Sequence, residues 1–240
     1  MSRALPVLAA LVAGFAAVTP LAAQQVVGHT PSQSPFRDIK PSQQLTFEGG
    51  YFQTQKDEIG ATPRSGPMFG VRYDIPVGGP ARFYVRLDRV STHRETFDPS
   101  QPPATRDLGD VSNPLWLGDL GFALDLTGER TWHGIIPTVD VGLGVATASK
   151  TTKRDPYNFG TQFAIRSDLG FRIHPGNGLE LRLLAGPTLY QNKYPGAYFV
   201  APTTTTGASA GSPLLATGTA RSGFRTNWAY TAGLSIPLFR

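Results

Sequence analysis

The final stretch, Gly223 to Arg240, alternates residue by residue. Trp228, Tyr230, Ala232, Leu234, Ile236 and Leu238 form one set; Arg225, Asn227, Ala229, Thr231, Gly233 and Ser235 form the other. A period of two marks a strand whose two faces meet different surroundings. The run is long for a strand, ends the chain, and carries aromatics towards both ends. Its apolar face is too extended to leave in water, which points to a strand that closes a membrane barrel.

The same alternation recurs upstream, giving eight strands in all. Near Gln43–Thr54, Leu45, Phe47 and Tyr51 oppose Glu48. Near Pro67–Ile75, Phe69, Val71 and Tyr73 oppose Gly70, Arg72 and Asp74. Near Ala81–Val90, Phe83, Val85 and Leu87 oppose Arg82, Arg86 and Asp88. Near Leu115–Leu126, Trp116, Leu120, Phe122 and Leu124 oppose Asp119 and Asp125. Near Trp132–Ala146, Val139, Val141, Leu143 and Val145 oppose Asp140, Gly142 and Gly144. Near Tyr157–Ile173, Phe159, Phe163, Ile165, Leu169 and Phe171 oppose Arg166, Asp168 and Arg172. Near Leu179–Gln191, Leu181, Leu183 and Leu189 oppose Glu180, Arg182 and Tyr190. Pro137 and Pro187 fall inside strands, where a closed wall needs every amide paired.

Connections alternate in length. Val77–Pro80, Thr127–Arg130 and His174–Gly178 read as tight turns. Residues 53–66, 91–114, 147–157 and 192–222 are long and polar, and the last contains the low-complexity run from Thr203 to Gly211. An outer-membrane meander has this asymmetry, with short turns on the periplasmic side.

Alternation alone does not say which face points outward, because a soluble lipocalin-like barrel is apolar inside. Three features favour lipid outside. The apolar face is nearly free of charge, Arg89 near a loop being the marginal case. The polar face mixes charges with Gly and Ala, which suits the narrow interior of an eight-stranded barrel. Its cations are arginines, whereas Lys40, Lys56, Lys150, Lys153 and Lys193 read as lying outside the strands; arginine is the better partner for carboxylates in desolvated pairs. The expected lumen network is Glu48, Arg72, Asp74, Arg82, Arg86, Asp88, Asp119, Asp125, Asp140, Arg166, Asp168, Arg172, Glu180, Arg182 and Arg225. Two aromatic girdles at the membrane interfaces are expected, Phe83, Trp132 and Phe171 near the short turns and Tyr51, Phe69, Trp116, Phe159 and Trp228 towards the long loops.

Met1 to Ala23 reads as a secretory signal: Arg3 is the positive start, Ala4 to Val18 the apolar core, and Pro20-Leu21-Ala22-Ala23 the cleavage region. Residues 24–41 read as an irregular periplasmic lead-in, and 42–240 as the barrel. The net charge of +5 could suggest nucleic acid, but the basic residues are scattered and form no recognition module. The lack of Cys excludes disulfides and thiolate metal sites. No cofactor is expected. Asp107 and Asp110 lack the spacing of a calcium loop, and His29, His93, His133 and His174 do not assemble with a Ser and an acid at one mouth.

On this architecture, residues 42–240 resemble the small eight-stranded outer-membrane barrels, such as the OmpA membrane domain, OmpX and OmpW-like proteins. The terminal signal departs from theirs: Phe239 is penultimate, Arg240 is last, and Leu238 keeps the lipid-facing parity. The resemblance implies an all-β, eight-stranded antiparallel up-and-down transmembrane barrel in the bacterial outer membrane. Outer-membrane lipids and the barrel-assembly machinery would be its partners. A structural or interaction role with a largely plugged lumen is expected rather than an enzyme. A narrow pore, a lipid-modifying enzyme and a soluble secreted barrel are the alternatives.

Overall fold

Alternating segments become the staves of a closed wall. The computed structural model describes residues 34–40, 42–175, 178–203 and 211–239. The expected signal and most of the lead-in lie outside the described residues.

The described residues form twelve strands: β1 (Phe36–Asp38), β2 (Gln43–Gln53), β3 (Gly66–Gly78), β4 (Ala81–Val90), β5 (His93–Phe97), β6 (Asp107–Ser112), β7 (Leu115–Asp125), β8 (Arg130–Trp132), β9 (Ile135–Ala148), β10 (Gly160–Ile173), β11 (Glu180–Lys193) and β12 (Ser222–Phe239). Eight of them, β2, β3, β4, β7, β9, β10, β11 and β12, pair antiparallel in chain order, and β12 pairs with β2 to close the ring. The fold is thus the all-β, eight-stranded up-and-down barrel. No helix among the described residues is long and apolar enough to cross a membrane. Closure pairs every strand on both sides and leaves no open edge, as a wall in lipid requires.

The strands are staggered as well as tilted. Pairings followed once around from Gln44 run through Asp74, Tyr84, Gly121, Gly142, Arg166, Thr188 and Asn227. Asn227 adjoins the Trp228–Gln53 pair, so the circuit returns to the first strand about ten residues from its start, and for so few strands the interior is only wide enough for side chains.

Four local features differ from the pattern in the sequence. The lead-in is not wholly irregular, because Phe36–Asp38 pairs with Arg130–Trp132. The expected strand from Trp132 to Ala146 is split: His133 and Gly134 have φ of 51° and 81°, turning the chain between β8 and β9. The loop 91–114 contains its own hairpin, β5 with β6. Lys193 is the last residue of β11 rather than outside it.

Both prolines are accommodated. Pro137 lies just past the end of β7, and its carbonyl still accepts the Leu126 amide at 2.9 Å. At Pro187 the β10–β11 ladder lapses opposite Ser167 and Asp168, while pairing to Trp228 on β12 continues.

Outside the wall lies an apolar belt that includes Phe47, Val85, Leu120, Phe122, Leu143, Phe163, Leu169 and Leu234, all exposed. Arg89 is a strand cation on this face, 6.0 Å from the Trp116 ring, and Lys193 at the very end of β11 shares the outward parity. A cation over an indole face is partly compensated, and its position near a loop lets it reach the headgroup layer.

Candidate functional site

The polar parity of each strand turns into the lumen, and what it carries there is charge. Arg72, Arg82, Arg86, Arg166, Arg172 and Arg182 are buried together with Glu48, Asp74, Asp88, Asp119, Asp125, Asp140, Asp168 and Glu180. A buried charge must be paired and hydrogen-bonded or its desolvation is prohibitive.

Near mid-barrel, Arg86 on β4 donates to both oxygens of Asp119 at 3.1 and 2.9 Å and reaches Asp168 on β10 at 2.9 Å. Arg166 on β10 reaches back to Asp88 on β4 at 2.7 Å and also holds Asp168 at 3.1 Å. These two arginines bridge the same pair of strands in opposite directions. Arg72 on β3 holds Asp74 at 2.9 Å, reaches Asp140 on β9, and lies 3.9 Å over the ring of Tyr84. Small residues make the space. A Cβ on Gly70 would collide with the Asp88 carboxylate, and one on Gly142 would meet the Tyr84 hydroxyl.

Towards the short-turn mouth, Arg172 grips Glu180 through two bonds of 2.8 and 2.7 Å and also bonds Asp125. Arg182 pairs with Asp74 at 3.0 Å and with Glu180 at 3.3 Å. Gln44 lies between them. Its Oε1 accepts from Arg82 at 2.9 Å, Arg182 at 3.3 Å and Arg172 at 3.4 Å, and its Nε2 donates to Glu180 at 2.9 Å.

Fourteen of the fifteen residues expected in the lumen are therefore buried there. Arg225 is the exception. It is only half-buried, near the long-loop end of β12, and forms no ion pair among the described residues. Glu48 is buried, but its Oε1 has no hydrogen-bond partner.

The girdle residues divide similarly. Tyr51, Phe69, Trp116, Phe171 and Trp228 are exposed on the outer wall, Phe83 is half-exposed, and Trp132 is exposed on β8, at the short-turn end rather than on a wall strand. Phe159 is not a girdle residue. It is 3% exposed and lies inside, 5.4 Å from the ring of Tyr190. Gly160, with φ of 62°, reverses the chain immediately after it, so the parity of β10 does not extend back to Phe159.

Phe159 belongs to a feature with no clear signal in the alternation: an apolar cap at the long-loop end. Phe52, Met68, Leu115, Tyr157, Tyr190 and Tyr198 are among the buried residues that form it. Within it, Arg94 from β5 bonds Asp155 at 2.7 Å, lies 4.8 Å from the Tyr157 ring, and bonds Thr151. Tyr198 donates to the same Asp155 at 2.6 Å. Burial lifts the hydroxyls of Tyr157 and Tyr198 well above the ordinary tyrosine range, and for Tyr198 the Asp155 carboxylate adds to the effect.

Two histidines do meet an acid, contrary to expectation: His93 Nδ1 is 3.5 Å from Asp110 Oδ2 on the exposed hairpin, and His174 Nε2 is 3.0 Å from Glu180 Oε2 at the short-turn mouth. No hydroxyl hydrogen-bonds either histidine among the described residues. No group of three metal-ligating side chains is found among them either.

A closed wall with a lipid-type exterior, a charged interior and long loops at one end is the architecture of a small eight-stranded membrane β-barrel. No protein-family model and no curated protein matches the sequence. Several solved structures are similar. Neisserial surface protein A is 12% identical, with 85% of this chain and 98% of that one covered and a TM-score of 0.46. The outer membrane protein OprG from Pseudomonas aeruginosa is 11% identical, covering 84% and 99%, with a TM-score of 0.48. The outer membrane enzyme PagL is 14% identical, covering 82% and 100%, with a TM-score of 0.36. Likeness at this level concerns the fold alone.

Proposed function

We propose that the protein is a non-conducting, non-enzymatic anchor that displays a folded cap at the cell surface, with outer-membrane lipids as its surroundings. One observation carries this reading: arginines tie facing walls across the lumen at successive depths. Arg86–Asp168 and Arg166–Asp88 each join β4 to β10, Arg72–Asp140 joins β3 to β9, and Arg182–Asp74 joins β11 to β3. Each bridge spans three strand steps of an eight-strand ring, close to a full diameter. An aqueous path would have to break several of these pairs at once. Breaking one buried pair by removing a partner costs about 3–5 kcal/mol. The apolar cap obstructs the long-loop end independently.

Planar-bilayer recording on the purified, heat-modifiable barrel tests this. The expected trace has no steady unitary conductance at moderate voltage. Reproducible channel steps that disappear with the purified protein omitted would show that the lumen is a pore.

A further inference from the structure

At the short-turn mouth the arginines share their acids unevenly, and the shortfall lies beside a cavity. A recess of about 390 Å³ opens there, lined by Lys40, Ser42, Gln44, Arg82, His174 and Glu180 among others. Arg82 is 5% exposed, yet among the described residues it is the buried lumen arginine whose hydrogen bonds reach no carboxylate. Its Nη2 donates to Gln44 Oε1 at 2.9 Å and to the Ser42 carbonyl at 3.4 Å, while its Nε has no partner. The nearest acid, Asp74, is 3.8 Å away and makes its hydrogen bonds with Arg72 and Arg182 instead.

The other groups at this mouth are committed. Arg172 is held by Glu180 and Asp125, and His174 Nε2 is 3.0 Å from Glu180. Glu180 lines the recess, but Arg172, Arg182, His174 and Gln44 all meet its carboxylate. Arg82 therefore keeps guanidinium donors without an acceptor, with the exposed Lys40 on the same recess.

We propose that this recess is a cradle for a small oxyanion, with Arg82 as its buried anchor, Lys40 as the second cation and Ser42 as a further donor. A guanidinium fork matches the oxygens of a carboxylate or phosphate, and such charge-assisted bonds are the strong ones. The recess admits a phosphate or the carboxylate end of a short chain, entering from the short-turn side. In an outer-membrane barrel that side faces the periplasm. The same chemistry could arrive as a free inorganic ion or as the free carboxyl terminus of a peptide.

The test uses the full chain in detergent micelles, with 15N-labelled arginine and the Arg82 Nε–Hε resonance as reporter. Inorganic phosphate and acetyl-alanyl-alanine are titrated separately at constant ionic strength, with chloride as the control. A saturable Arg82 shift with at least one probe, and binding weakened about tenfold or more in K40Q, is the expected result. Lys40 is exposed, so K40Q should leave the barrel intact, a point that heated and unheated gel mobilities check. R82Q, checked in the same way, should abolish binding measured by calorimetry. A shift with phosphate alone identifies a free ion, and a shift with the peptide alone identifies a chain end. No saturable shift with either, an equal shift with chloride, or unchanged affinity in K40Q and R82Q would overturn the proposal.

Discussion

Substituting Arg166 by Leu isolates the energetic role of the lumen. The wild-type side chain holds Asp88 at 2.7 Å and Asp168 at 3.1 Å. Asp168 keeps Arg86 at 2.9 Å after the change, but Asp88 keeps only an Arg86 nitrogen at 3.9 Å, beyond hydrogen-bond range. One buried carboxylate is thereby stranded, and stranding a buried charge costs about 3–5 kcal/mol. Removing the carboxylate too should recover most of this, since apolar replacement of a whole buried pair is often neutral or stabilising. R166L and the double variant R166L/D88L can be compared by urea unfolding in lipid vesicles. Trp116 and Trp228 are exposed on the outer face of the wall, so their fluorescence reports departure from the bilayer. The expected order is wild type and double variant close together, with R166L well below both. If R166L lost less than about 1 kcal/mol, the scale of a solvent-exposed pair, Asp88 would be hydrated and the lumen wet. If the double variant were no better than R166L, lost packing rather than the stranded charge would be the cause.

The remaining predictions address the wall, the lumen spacing and the cap. Leu143→Arg places a cation on the lipid face in the middle of β9 and should destabilise the barrel by roughly 2–4 kcal/mol in the same unfolding assay. Gly70→Ala should cost about 1–3 kcal/mol by overpacking. Its Cβ drives the Asp88 carboxylate off Arg166, a displacement that the Arg166 Nε–Hε resonance would register. Burial also raises the hydroxyl of Tyr194, beside Asp57, so that Tyr157, Tyr194 and Tyr198 all bind their protons more tightly folded than unfolded. Their contribution to cap stability is therefore intact below the unfolded tyrosine value of about 10 and is lost as pH rises above it. Tyrosinate absorbance should show these three ionising late, together with increased protease cleavage of the loops.

Much of the architecture is legible in the sequence because a barrel in lipid imposes one rule on every strand. Phe122 faces out and Ala123 faces in for the same reason that Leu234 and Ser235 do. Most of the interior set was legible too, since a charge turned into a narrow lumen needs polar partners there. Which acid each arginine meets was not. Arg166 lies two residues from Asp168, but its shortest bond goes to Asp88, seventy-eight positions away, and that choice depends on strand stagger. The rule also stops where the strands leave the bilayer. Phe159 shares the parity of Phe163, yet one left-handed glycine puts it inside. Arg94 looks like an ordinary polar loop residue until the hairpin of β5 and β6 carries it into the cap beside Asp155.

The pairing of β12 with β2 has a consequence for how the chain reaches this state. Every other neighbouring pair in the wall is joined by a local connection, whereas Ile236 meets Leu45 across nearly the whole sequence. Loop closure over such a separation is entropically costly and slow unless the intervening hairpins already hold the ends near each other. Until Ser222 to Phe239 has been synthesised and delivered, the growing sheet carries two unpaired edges, each able to bind a foreign strand. The last strand thus acts as a completion signal, and a chain truncated before it should aggregate rather than insert.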